Sequence, residues 1–313
     1  MPKVRKKTKV IAILISDIHL SDKAPIARID DDWFKAMANP LKQVRSLSKR
    51  YDCPVICAGD IFHNAITASP ELINFALRNL PTGMLSIYGQ HDLYYHNPDH
   101  LNKSAYQILM QAGKIHHLSP APHLLQKYPR VYVYGFGWNY PLDKIPEFTR
   151  WKDAIHIAVL HKYLWIGNNK YTGAKQQDHV EQIAKVFKNF DVLHSGDNHK
   201  GFFEVINGLE VANCGALMRR NIDEKDYQPT VGLVYDTGEV IPWVLDTSKD
   251  KLADKLEMPD FLTTEESKFI KDLESIDLNG LDFVQALKVY LKSTEVGERV
   301  SAIIEKALEG KNG

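Results

Sequence analysis

With 313 residues, 44% of them hydrophobic, the chain is long enough to bury a real core, either as one large α/β domain or as a medium domain with a helical appendage. Lys plus Arg equals Asp plus Glu at 39 each, so a nucleic-acid partner would have to be gripped by a local basic patch and not by a globally basic surface. The three cysteines, Cys53, Cys57 and Cys214, cannot all pair and form no zinc-type Cys-x-x-Cys units, which points to a reducing, cytoplasmic compartment.

The basic stretch 3–9 leads into the apolar run Ile11-Ala12-Ile13-Leu14-Ile15. That run is too short for a secretory signal and ends in Ser16-Asp17-Ile18-His19 without a small-residue cleavage pattern, so it reads as a buried strand. No stretch approaches the ~20 apolar residues of a membrane-spanning helix. Strand-like runs at 10–16, 54–58 and 84–88 alternate with helical patterns over 33–50 and 70–80, the rhythm of a layered α/β domain. Further runs at 131–136, 155–160 and 191–195 are followed by 202–206, 209–213, 231–236 and 239–245 without long helices between them. There the sheet is expected to turn antiparallel, with Asn207-Gly208 and Thr237-Gly238 as hairpin turns. Beyond residue 246 a charged stretch gives way to apolar and charged residues at helical spacing, which reads as a linker over 246–262 and amphipathic helices over 263–313, after a catalytic domain over 1–245.

Four loops, each behind its own strand, deliver Asp, His or an amide: Asp17-Ile18-His19, Gly59-Asp60-Ile61-Phe62-His63, Gly89-Gln90-His91-Asp92 and Gly196-Asp197-Asn198-His199. His161 ends the strand at 155–160. Any one of these is an ordinary turn former or cap; the series in order, at the strand edge where α/β sheets collect ligands, is not what turn chemistry alone produces. Carboxylates and imidazoles suit Mn²⁺, Fe²⁺ or Zn²⁺, and a carboxylate such as Asp60 can bridge two ions held about 3.5–4 Å apart, the spacing that clamps a phosphate.

These motifs resemble the calcineurin-type metallophosphoesterase superfamily over roughly residues 10–236, and Gly59-Asp60-Ile61-Phe62-His63 is similar to the form found in SbcD-like DNA-repair nucleases and their phage relatives. The stretch 211–220, ending in Arg219 and Arg220, is similar to that branch's Asn-Pro-Gly-Ser segment. The resemblance implies a four-layer αββα sandwich and a two-metal DNA nuclease of a bacterial or phage-infected cell, acting as exonuclease or endonuclease in repair, recombination or phage DNA processing. It implies a first ion on Asp17, His19, Asp60 and His199, and a second on Asp60, Gln90, His161 and Asp197. His91 would protonate or stabilise the leaving oxygen and His63 would help place the strand. Gly215, Arg219 and Arg220 are candidate phosphate contacts. Two departures fall on the second ion: Gln90 stands where the family has Asn, and Asp197 replaces the first His of the last motif. The added oxygen donor favours Mn²⁺, with Mg²⁺ or Fe²⁺ as alternatives, over zinc.

DNA as substrate is also suggested by Tyr94, Tyr95, His96, Trp138, Tyr140, Tyr163 and Trp165, which could stack bases, and by Lys162, Lys170, Lys175 and Lys200. By resemblance, the C-terminal helices would dock on an SbcC-like ABC-type ATPase, and a homodimer could form through helices near the second and third motifs. The competing readings are a phosphodiesterase of nucleotides or other small molecules with the same metals, and a non-catalytic scaffold that recruits a partner.

Overall fold

The computed structural model describes residues 8–64, 68–146, 150, 151, 153–168, 175 and 178–253. The expected C-terminal helices over 263–313, with the ATPase docking assigned to them, lie outside the described residues, as does Lys170.

Strand β1 (Val10–Ile15) is a run of six apolar residues, all buried, as a central strand covered on both faces requires. It is followed by helix α1 (Trp33–Tyr51), β2 (Val55–Cys57), α2 (Pro70–Asn79), β3 (Met84–Ser86), α3 (Ala105–Gln111) and β4 (Ile115–His117). Then come β5 (His123–Leu124), β6 (Val131–Phe136), β7 (Ile155–His161), α4 (Val180–Val186), β8 (Val192–Gly196), β9 (Phe202–Ile206), β10 (Leu209–Asn213), β11 (Thr230–Tyr235) and β12 (Val240–Val244). They form two six-stranded sheets, ordered β12-β11-β1-β2-β3-β4 and β5-β6-β7-β8-β10-β9. Strands β1 to β4 run parallel in the first sheet, and β6, β7, β8 and β10 run parallel in the second.

The layers follow from the two-residue alternation of the strands. In β7, Ile157 and Val159 join the core shared with β1 and β2, while Ala158 and Leu160 pack with Val180, Ile183 and Phe187 on the α4 side. Met37, Leu41 and Val44 of α1 and Leu72 and Phe75 of α2 belong to the core of the first sheet. The result is an αββα sandwich of two mixed sheets. The helix starts are locally encoded: the Asp32 carboxylate caps α1 by accepting from the Lys35 N–H, and Ser69 caps α2 with Pro70 at the first helical position.

The elements that sequence pattern did not predict are α3, α4, β4 and β5, all of seven residues or fewer. The late strands are also not wholly antiparallel, because β10 pairs with β8 in parallel and with β9 in antiparallel. The β9–β10 hairpin does turn at Asn207 and Gly208, both left-handed, with φ of 54° and 84°. The start of the stretch read as a linker is tied down: Ile29 N–H donates to Lys251 O at 3.0 Å, Ala253 N–H to Ala27 O at 2.9 Å, and the Arg28 guanidinium reaches Asp30 and Asp250. Cys53, Cys57 and Cys214 are buried thiols, and no helix among the described residues is long and apolar enough to cross a membrane.

Candidate metal centre

The parallel strands of both sheets place their carboxyl ends at one edge, and all of the expected ligands arrive there. The loops after β1 and β2 are joined by main-chain hydrogen bonds: Asp17 N–H to Gly59 O at 3.1 Å, His19 N–H to Asp60 O at 2.9 Å, Leu20 N–H to Ile61 O at 2.8 Å and His63 N–H to Leu20 O at 2.9 Å. Asp17, His19, Asp60 and Asp197 all have left-handed backbone, with φ of 49°, 50°, 54° and 77°. Such conformations cost non-glycine residues energy and cluster where function holds them. Gly59 and Gly89 make room: a β-carbon on Gly59 (φ 100°) would lie 2.5 Å from His161 Nδ1, and one on Gly89 would overlap the Asp60 carboxylate.

Asp60 sits at the junction. Its Oδ1 accepts from the His91 N–H at 3.0 Å, while its Oδ2 lies 3.5 Å from His161 Nε2 and 3.7 Å from His19 Nε2. His161 directs Nδ1 at the Ala58 carbonyl, 2.5 Å away, which leaves Nε2 facing the carboxylate. His19 Nε2 lies 3.0 Å from His199 Nε2. The Asp17 carboxylate accepts from the Asp197 N–H at 3.1 Å and 3.2 Å, joining the two sheets' loops. Asp17, His19 and His199 place donor atoms within 4.8 Å of one another, as do Asp17, Asp60 and His161, and as do His19, His63 and His91. Asp17 therefore belongs to two of these groups.

Gln90 and Asp197, on loops from different sheets, meet each other. The Gln90 amide donates from Nε2 to Asp197 Oδ1 at 2.6 Å, which leaves Gln90 Oε1 buried without a hydrogen-bond partner. Asp60 Oδ2 and His161 Nε2 are likewise buried without a hydrogen bond and face each other at 3.5 Å. Buried polar atoms left this way are costly unless something else satisfies them, and a cation is a ligand that suits all three.

The electrostatics agree. Burial, against the attraction of His161 and with the repulsion of Asp60 and Asp197, pushes Asp17 up to about 8. Asp60 is held down to about 2, because His161 and His91 outweigh its burial. Burial alone would lower His161, yet the surrounding carboxylates, Asp60 foremost, raise it to about 10. Proton affinity is thus raised at Asp17 and His161, two of the groups whose geometry offers donors to a cation. Burial drives His19 well below its usual range, His199 downward, and His63 down to about 4, so these rings are neutral donors near neutral pH. The donors the structure brings together suit divalent cations: Asp17, His19 and His199 on one side, and Asp17, Asp60 and His161 on the other, with Gln90 and Asp197 bonded to each other.

His91 is half-buried, and its Nδ1 lies 2.9 Å from the His63 carbonyl, which leaves Nε2 as the nitrogen free to exchange a proton. Its ring stacks on His63 with centroids 5.6 Å apart. Asp92 has a role that sequence reasoning missed. Its buried carboxylate accepts from Phe62 N–H at 2.9 Å and Gly89 N–H at 3.0 Å, fixing the second and third loops together. Burial, then Asp60, raises it to about 7. Its place four residues from Tyr88 in the Gly89 motif was visible, but its partners were not.

The candidate phosphate contacts separate. Arg219 is spent on Asp250 and on the Lys225 and Thr247 carbonyls, and the Gly215 N–H donates to Asn213 Oδ1 at 2.8 Å. Arg220 instead donates from Nη1 to the His19 carbonyl at 2.6 Å. The aromatic candidates separate too. Trp165 is buried against His179, and Lys162 pairs with Asp178 at 2.9 Å. Tyr95 is 68% exposed, and His96 lies between the His91 ring at 5.9 Å and the Trp138 ring at 6.4 Å.

No family model matches the chain, and no curated protein does. Among solved structures, an archaeal phosphodiesterase is 15% identical with a TM-score of 0.38, over 75% of this chain and 99% of that one. A 5′-nucleotidase from Candida albicans is 13% identical with a TM-score of 0.45, over 85% of this chain and 57% of its own. A 5′-nucleotidase precursor from Thermus thermophilus is 12% identical with a TM-score of 0.42, over 79% of this chain and 56% of its own. The chain thus spans little more than half the length of either nucleotidase. At these identities none of the likenesses carries a residue role across to this chain.

Proposed function

We propose that this chain is a phosphodiesterase that works with two divalent cations, Mn²⁺ foremost, and that its substrate is DNA. One observation carries the reading: Asp60 Oδ2, His161 Nε2 and Gln90 Oε1 are buried without a hydrogen bond in a cluster whose other members are carboxylates and imidazoles. Bound there, divalent cations would polarise the phosphate and acidify a water enough to attack it. The protein's own part is positional. Asp60 fixes the His91 main chain, and the His63 carbonyl holds the Nδ1 side of the His91 ring. His91 Nε2 is then the atom that gives a proton to the departing oxygen. The exposed Tyr95 and the His96–Trp138 pair, beside His91, support an unpaired nucleic-acid strand as substrate, since aromatic faces stack bases of any sequence.

The test is Mn²⁺-dependent degradation of end-labelled single- and double-stranded DNA by wild type and His91→Ala, with bis(4-nitrophenyl) phosphate in parallel. His91→Ala should lose about 10²–10⁴-fold on DNA, where the leaving alkoxide needs a proton, and much less on the ester of the acidic nitrophenol. Cleavage of the small diester without cleavage of DNA would move the substrate to a nucleotide or other small diester. Inertness on both would leave a scaffold.

A further inference from the structure

A cleft of about 760 Å³ opens beside the centre, between the chain after β1 and the start of α2. Two residues join it to the chemistry. His63 forms part of its wall and also keeps a ring nitrogen within 4.8 Å of His19 and His91, and Arg220 lines it while bonded to the His19 carbonyl. Leu20, Pro25 and Leu72 give it apolar wall. Its volume falls within the ~300–1,000 Å³ of small-molecule sites, which is room for a nucleotide.

The charges in the cleft give it a direction. The Asp22 carboxylate is taken up by the N–H and hydroxyl of Ser69. Glu71, in the first turn of α2, places a carboxyl group beside Leu72, at the end of the cleft an anion would avoid. Arg220 at the other end is half-buried, and the nearby Glu224 carboxylate is occupied by the main-chain N–H groups of Arg220 and Asn221 and by the Asn221 amide. A guanidinium in that setting is suited to an incoming phosphate, which it can meet with paired N–H groups.

We infer that this cleft is the subsite for the nucleotide next to the scissile phosphate, with that nucleotide's own phosphate on Arg220 and its sugar and base against Ala24 and Pro25, over the buried Leu20 and Leu72. The inference rests on the phosphodiesterase reading and deepens it, because it makes the substrate an oligonucleotide and not a mononucleotide ester. Lys23, on the exposed rim, adds a second positive charge.

The experiment measures binding separately from turnover. Fluorescence anisotropy of a labelled, phosphorothioate-linked tetrathymidylate is recorded with the full chain in Mn²⁺, for wild type, Arg220→Gln, Arg220→Lys and Ala24→Trp. Ala24 is an exposed residue of the cleft, so tryptophan fills the space without touching the core. Arg220→Gln should weaken binding by about tenfold or more, the worth of one charge-assisted hydrogen bond, with Arg220→Lys between it and wild type, and Ala24→Trp should weaken binding to a similar extent by filling the cleft. Equal affinities across the set, or no binding by wild type, would overturn the subsite. Bis(4-nitrophenyl) phosphate hydrolysis, read alongside, separates the two claims. Turnover of the small diester with unaltered oligonucleotide binding sinks the cleft and leaves the phosphodiesterase standing, whereas no turnover by wild type removes both.

Discussion

The two sheets contribute to the centre in different ways. The first delivers Asp17, His19, Asp60, Gln90 and His91 on loops stitched to one another by main-chain hydrogen bonds and by Asp92. The second delivers His161, Asp197 and His199 on loops that rest on the first through a few contacts: His161 Nδ1 at Ala58 O, the Asp197 N–H on the Asp17 carboxylate, and His194 Nε2 2.8 Å from Ile15 O. Backbone stitching is indifferent to side-chain identity, so the first set holds its shape through substitution. The second set leans more on side-chain pins, beside main-chain hydrogen bonds from Ala216 N–H to His199 O and from Leu217 N–H to Asp17 O, both at 3.1 Å.

The sharpest way to break that contrast is Asp60→Asn, which keeps the size and the acceptor for the His91 N–H but removes the charge facing both sheets. Hydrolysis should fall below detection and bound Mn²⁺ should drop in elemental analysis, with far-ultraviolet circular dichroism unchanged. Wild-type metal content in the variant would show that the two sheets do not share an ion at this carboxylate.

The His194 pin is tested by pH. Its Nε2 faces Ile15 O and its Nδ1 lies 3.2 Å from Ala212 O; burial, against those hydrogen bonds, pushes it from 6.5 down to about 4. Below pH 6.5 the unfolded chain takes up a proton that the folded chain refuses, so stability falls as pH drops from about 6.5 to about 4 and no further below that. The full loss is on the order of 3 kcal/mol at 1.36 kcal/mol per pKa unit. Urea unfolding across this window should show a slope shallower by up to one proton in His194→Gln. An unchanged slope would mean that the folded ring already carries its proton, bonded to both carbonyls.

A smaller effect sharpens the comparison at Gln90 and Asp197, one from each sheet. Gln90→Asn and Asp197→His should each weaken cation binding by about 10–100-fold or more, at least the cost of disturbing a group that only orients a ligand. Combined, they should recover much of it and turn preference toward zinc, with a coupling of about 0.5–3 kcal/mol in a double-mutant cycle. Additive losses would separate the two residues energetically despite their 2.6 Å hydrogen bond.

Much of this was legible in the chain itself. Strands at 131–136, 202–206 and 209–213 and the helices beginning at Trp33 and Pro70 were read to the residue or nearly so, because apolar alternation and capping side chains are local signals. The pair β4 and β5 escaped because edge strands of three and two residues with half-exposed histidines carry no apolar run. The candidate site was legible as a set of loops, since each candidate ligand lies just after or at the end of its strand. What could not be read was the pairing across long separations: Gln90 with Asp197, Asp92 with Phe62, and the division of labour between Arg219 and Arg220. Adjacent arginines look alike in sequence, and only the surrounding carbonyls and carboxylates set them apart.

The left-handed backbone at Asp17, His19, Asp60 and Asp197 also bears on how such a chain would drift. Each position asks for a conformation that glycine adopts freely and that costs other residues on the order of 1 kcal/mol or more. At Asp17 and Asp60 glycine would relieve that strain but strip the carboxylates from the Asp197 and His91 N–H groups, a loss of about 1–3 kcal/mol each. Drift toward glycine is therefore held back at these two positions by the fold itself, whereas among the described residues no such main-chain hydrogen bond to the side chain restrains it at His19 and Asp197.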